Sequence, residues 1–197
     1  MRPSRLGCIR FSVALQVRRF RADVRGVTAI EFGMVAAPFF IFLMGIMTLG
    51  TQYLTSHFLE YGAEVAARKL RTGEAQKAGL TLAQFRTLYC NSVGFMVDCD
   101  AHLLKIHINS SQRFADLPQV NCMTSGGDLA EPPGNPGDNI RTRAGDASNA
   151  VKVNICYDWQ VGVAFWKTLW AVLNPDHAVA DKLVLSTATA FRSEPYE

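Results

Sequence analysis

The sequence predicts an α+β fold in which a long N-terminal transmembrane helix is followed by a small antiparallel sheet head with short helices. Three observations carry this reading. Phe32–Leu54 is a run of 23 residues without a charge. Two later stretches, 104–109 and 151–159, alternate apolar and polar residues with the period of a strand. Four of the five cysteines lie beyond the apolar run, in the part that carries the strand patterns.

At about 1.5 Å per residue the uncharged run reaches roughly 34 Å as a helix, enough for a hydrocarbon core of about 30 Å. The charges order the topology. Residues 1–25 hold seven Arg, no Lys and the single acid Asp23, so the net charge of +3 is a basic N-terminal tag on a slightly acidic body. A tag of this kind argues against a nucleic-acid-binding face spread over a folded domain. The positive-inside rule places it in the cytoplasm and the body across the membrane. Arg18-Arg19 raises a twin-arginine export signal, but the apolar run is too long and lacks a small-x-small exit. A composition of 49% apolar and 19% charged residues also excludes a collagen-like, mucin-like or wholly disordered chain.

The boundaries expected along the chain are a basic leader at 1–26, a transmembrane segment at 27–54 and a helical extension at 55–73. A periplasmic head at 74–197 follows. Pro38 should kink the first helix, because proline removes a backbone hydrogen bond. Gly33, Ala37 and Gly45 allow close helix approach, though such residues are also ordinary membrane composition. Past the membrane, Phe58, Tyr61, Val65 and Leu70 fall near one stripe and the helix should end near Arg71, before Gly73. Thr81-Leu82-Ala83-Gln84 fits a capping box and starts a second helix that runs to about Asn91. Each strand pattern predicts one buried face. Residues 110–149, with Gly126-Gly127 and Pro132–Gly137, read as a long loop closed through Cys122. A short helix near 163–173 and a last strand near 183–192 complete the head. Phe165, Trp166 and Trp170 form either the core stripe of that helix, the reading preferred here, or a contact surface.

Cys8 falls on the cytoplasmic side and Cys90, Cys99, Cys122 and Cys156 on the exported side, an even number in an oxidising compartment. Two disulfides follow. Three connectivities are open, and nearest-neighbour pairing favours Cys90 with Cys99 and Cys122 with Cys156. Zinc would need closer ligand clusters than these.

Glu31 stands one residue before the apolar run, where a carboxylate costs on the order of 1–3 kcal/mol depending on depth and is by default a functional candidate. Alone, it reads equally as a residue that starts the helix and reaches the headgroups. The segment Gly26-Val27-Thr28-Ala29-Ile30-Glu31-Phe32 resembles a class III signal peptide, which a prepilin peptidase cuts after the glycine and whose fifth mature residue is Glu. More closely, residues 25–73 resemble the TadE family of minor pilins, or pseudopilins, of the tight-adherence (Flp) pilus system. Glu31-Phe32, Pro38, Leu49-Gly50 and the stretch from Leu59 to Gly73 carry the likeness. Thr48 stands where many members have an acid, and the cysteine pattern and middle loop do not match the family.

The resemblance implies a pilin-like head, cleavage between Gly26 and Val27, and a register role for Glu31 and Phe32. It also implies partners: a prepilin peptidase, other pilins and pseudopilins through the N-terminal helix, an inner-membrane assembly platform and membrane lipid. The expected protein is a structural component of a pilus assembly and secretion system that supports adhesion and biofilm formation. Two rivals are an uncleaved single-pass envelope protein whose disulfide-bonded periplasmic domain binds a partner, and a membrane-tethered enzyme. No GxSxG, P-loop, HExxH, CxxC or Rossmann fingerprint occurs in the sequence, so neither a catalytic site nor a cofactor is expected. His102 and His107 are expected on opposite sides of one strand as surface or half-buried residues. Asp128, Asp138 and Asp146 are expected as solvated loop acids without EF-hand spacing.

Overall fold

A computed structural model describes residues 27–173 and 182–195. The leader, including Arg18, Arg19 and Gly26, lies outside the described residues. Helix α1 is Val27–Arg71, α2 Glu74–Lys77 and α3 Leu82–Val93; strand β1 is Leu104–Ser111. Helix α4 is Arg141–Ala144, β2 Ala150–Asp158, α5 Gln160–Leu173 and β3 Val184–Arg192. The described residues divide into two units, one ending at Met47 and the other beginning at Thr48.

In the first unit, α1 exposes nearly every large apolar side chain it carries, among them Phe32, Phe39, Phe42 and Met47. None of its most apolar 18-residue window is buried inside the protein, and its length and composition fit a single-pass membrane anchor. Pro38 lies inside the helix, which remains helical on both sides of it. Gly33 and Gly45 face open space, so their smallness serves no packing within the chain.

In the second unit, the C-terminal part of α1 becomes a core helix. Its buried positions are Thr55, Leu59, Ala63, Ala66 and Leu70, at the spacing of one helix face. This differs from the expected stripe of large residues, since Tyr61 is exposed and Phe58 only half-buried. The reason is close packing against α3. A Cβ at Gly62 would collide with Val93 and Tyr89, both fully buried, and the Tyr89 hydroxyl donates to the Leu59 carbonyl at 3.3 Å. Small residues therefore define the contact. Helix α1 stops where Gly73 adopts φ 74°, a left-handed conformation that glycine accepts without a Cβ penalty. Its end is tied by Gln76 Nε2 donating to the Leu70 carbonyl and by the Glu194 N–H donating to that of Arg71.

The capping box of α3 is complete: the Gln84 N–H donates to Thr81 Oγ1 at 3.2 Å, and the Thr81 N–H to Gln84 Oε1 at 2.9 Å. The three strands form an antiparallel sheet in the order β1-β2-β3, with Ile106 opposite Ile155 and Val153 opposite Thr189. One face of the sheet, with Leu104, Ile108, Val151, Val153 and Ile155, joins Leu59, Leu70, Phe85, Tyr89 and Val93 in a single core.

Candidate functional site

The two sets of residues singled out by sequence sit in different units, and each is described by itself. In the first unit, Val27 opens α1 and Glu31 follows it by four residues, about one helical turn. Both Glu31 and Phe32 are exposed, Phe32 to 73%, so the start of the helix presents a carboxylate beside apolar surface. Pro38 has no N–H to offer the carbonyl four residues back, that of Met34, which leaves one weakened point in an otherwise apolar rod.

In the second unit the cysteines pair as Cys90–Cys99, with Cα atoms 6.0 Å apart, and Cys122–Cys156, at 5.5 Å. The first closes the turn after α3, where Arg86 Nη2 also donates to the Cys99 carbonyl at 2.6 Å. The second straps the loop after β1 across the sheet. Here the structure corrects the expectation of one buried face. Strand β2 is buried on both: Cys156 is bonded into the strap, Asp158 lies beside Lys182 and Leu183, and Asn154, Cys156 and Asp158 are each at most 8% exposed. The strap is held by the bridge between Met123 and Leu129, by Glu131 ion-paired to Lys105 and by Asp128 ion-paired to Lys182.

Burial on this side of the sheet changes the chemistry of two groups. His107, opposite Asn154 on β1, is 4% exposed and desolvation holds its pKa below the ordinary value. The ring donates to the Ala130 carbonyl, which together with Glu131 acts in the opposite, pKa-raising direction, while Nε2 has no partner. Asp158 has its carboxyl pushed up by desolvation, opposed by Lys182 and by a hydrogen bond from the Leu183 backbone. His107 is thus a buried residue and not a surface one, and His102 lies in the turn before β1. Asp128 is held below its usual range by the hydrogen bond from Lys182, and Asp146 pairs with Arg141. Asp138 accepts from the Asn135 N–H at 2.9 Å. Among the described residues no three His, Cys, Asp or Glu side chains are grouped to hold a metal ion.

The aromatic set on α5 departs from the preferred core reading. Trp170 is 42% exposed, Phe165 and Trp166 are half-buried, and only Trp159, just before the helix, is fully enclosed. The cause is local: α5 touches the body through Gly162, where a Cβ would strike Trp159 and approach Leu183. Sequence reasoning also passed over Arg86 and Arg143, which border one cavity in the body. They come together only through the fold of the intervening loop, and no spacing in the sequence signals it.

An apolar, membrane-length N-terminal helix with a carboxylate at its start, joined to a disulfide-bonded α+β body, fits the class of single-pass membrane-anchored proteins. Residues 26–68 match the family model described as TadE-like protein, which covers α1 from its start almost to its end. That segment of the chain is TadE-like, in agreement with the likeness carried by Glu31-Phe32, Pro38 and Leu49-Gly50. Comparison with curated proteins finds no match, and comparison with solved structures finds none.

Proposed function

We propose that the chain is a minor pilin or pseudopilin-like component of a tight-adherence pilus assembly and secretion system. The observation that carries this reading is the TadE-like match over residues 26–68, which coincides with a helix that carries Glu31 at its fifth residue and no charge from Phe32 to Leu54. In this reading a prepilin peptidase cuts between Gly26 and Val27. The cut removes all seven leader arginines and leaves an α-amino group on Val27.

Once α1 packs among like helices, the carboxylate of Glu31 neutralises the Val27 amine of a neighbouring subunit. Two unit charges about 4 Å apart attract by about 4 kcal/mol at an effective dielectric of about 20, and each is costly to leave unpaired away from water. The pairing fixes axial register, and Phe32 beside it seats the apolar surface of the next helix. Before assembly the same surface is covered by the lipid of the inner membrane, with the N-terminus cytoplasmic and the body in the periplasm. Other pilins and the inner-membrane assembly platform are the partners in transfer from lipid to pilus. The role is structural, in support of adhesion and biofilm formation, and requires no catalysis by this chain.

Intact mass and N-terminal sequencing of the membrane protein, produced beside its prepilin peptidase, test the first step. A mature chain that begins Val-Thr-Ala-Ile-Glu, lost in Gly26→Leu, is expected. A retained arginine-rich N-terminus would instead favour the uncleaved envelope protein.

A further inference from the structure

A half-open cavity of about 550 Å³ lies in the body between α3, β1 and the segment Glu131–Pro136. Its floor is apolar, with Leu82, Phe85, Leu104, Ile106 and Ile108. Lys105 borders it as well, so three consecutive residues of β1 meet the same space. Successive side chains of a strand point to opposite faces, and a groove that touches all three therefore runs along the backbone edge of the strand. β1 is an edge strand: its ladder joins it to β2, and no other described strand pairs with its second edge. Such an edge offers a row of N–H and C=O groups to an incoming strand. The facing wall contains Pro132, Pro133 and Pro136, which give apolar surface but no N–H to compete for that strand.

The groove is also positively charged in an incomplete way. Arg86 and Arg143 both border it, and the Nε of each is buried without a hydrogen-bond partner. The Nε atoms themselves are enclosed, but both side chains are only half-buried, so the outer ends of the guanidinium groups face the groove, and their planar fork suits a carboxylate. Of the carboxylates of the surrounding loop, Glu131 is paired with Lys105, and Asp138, which lies beside Arg143 at Gly134, accepts the Asn135 N–H and makes no ion pair among the described residues.

We propose that this groove binds an extended, acidic segment of a partner protein as an added strand on the edge of β1. Aliphatic side chains of that segment settle alternately on the Leu82–Phe85–Ile106 floor, and its Asp or Glu side chains bond Arg86 and Arg143. Main-chain pairing supplies the affinity and the guanidinium groups the choice of partner.

The test uses the full chain in lipid nanodiscs and a positional-scanning library of octapeptides, acetylated and amidated so that only side chains carry acid. Retained peptides are expected to alternate aliphatic residues with Asp or Glu. Replacement of the acid by the amide in the best peptide should weaken binding about tenfold or more, since hydrogen bonds to charged groups contribute about 1.5–3 kcal/mol. Methylation of its edge-facing backbone amides should abolish binding. Arg143→Gln and Arg86→Gln should each weaken the acidic peptide while leaving the amide peptide unchanged. Arg143→Gln stands on its own if loss of the bond to the Cys99 carbonyl disturbs the fold in Arg86→Gln. Absence of retention, retention without acid preference, indifference to N-methylation, or an acid preference that survives Arg143→Gln would each overturn the proposal.

Discussion

Gly62→Ala separates a packing role from a helix-propensity role at one position. Alanine is the better helix former by about 1 kcal/mol, so in an exposed stretch the substitution would stabilise α1. At Gly62 the added Cβ would strike Val93 Cγ1 and lie 2.8 Å from Tyr89 Cε2, and both side chains are wholly enclosed. Neither can swing away, and the Tyr89 hydroxyl is tethered to the Leu59 carbonyl. With neither neighbour free to move, overpacking costs the upper part of the usual range, about 2–3 kcal/mol, which the propensity gain of about 1 kcal/mol reduces to a net loss of about 1–2 kcal/mol. For a unit of this size that corresponds to a melting temperature lower by roughly 2–8 °C. Near-ultraviolet circular dichroism of the full chain in detergent, which follows Tyr89 and Trp159, reads the change. Gly50→Ala is the control, because a Cβ there meets nothing within 4 Å. A Gly62→Ala protein that melts at or above the parent temperature would refute the close α1–α3 contact.

The two disulfides should differ in value. In a chain-entropy estimate, loss of Cys122–Cys156, which spans 34 residues, costs about 4 kcal/mol and loss of Cys90–Cys99, which spans 9, about 2.5–3 kcal/mol. Denaturant midpoints of the paired Ala variants give the comparison, and an inverted order would count against the strap. Stability should also fall with acid in a specific way. His107 has a folded pKa below its unfolded value of 6.5, so the unfolded chain binds the proton first and stability is lost as pH drops below about 6.5, levelling below the folded pKa. Asp158, shifted upward from 3.8, acts in the opposite sense and loses stability as pH rises from there through its folded pKa. Unfolding free energies between pH 7 and 5 should lose most of their slope in His107→Gln; an unchanged slope would show that the ring is not desolvated. Trp159→Ala should cost about 3–5 kcal/mol, whereas Trp170→Ala on the open side of α5 should stay near the 0.5 kcal/mol typical of surface changes. Equal losses would mean that α5 is packed into the core.

What the sequence made legible was local. Thr81 and Gln84 announce the cap of α3 because the capping bonds join residues three apart, and the uncharged run announces α1 because a bilayer is a simple solvent. Alternation in 104–109 and 151–159 located β1 and β2 but not the second buried face of β2. Asn154 and Asp158 look like outward polar residues, and their own alternation does not show that Cys122 is tied to Cys156 between them or that Lys182 and Leu183 lie beside Asp158. Tyr61 was expected inside and Gly62 decided the outcome instead, since apolar periodicity weighs a side chain by its size and helix contact can favour having none. On α5 the apolar pattern was real, but whether a stripe is covered depends on what the rest of the chain can reach. Arg86 and Arg143 carry no mark in the sequence, because a groove is a property of three segments at once.

The strap over the sheet also imposes a sequence of events. Cys99 follows Cys90 after 9 residues and can be joined while most of the body is still emerging, whereas Cys122 must wait for Cys156 at the far end of β2. Until that second bond forms, the strap is not fastened over the side of β2 that carries Cys156 and Asn154, nor over the unpaired side of His107. The late bond therefore works as a seal of maturity: a chain that has completed β2 and joined Cys122 to Cys156 shows a closed face, and an unfinished or reduced one shows an open, polar flank.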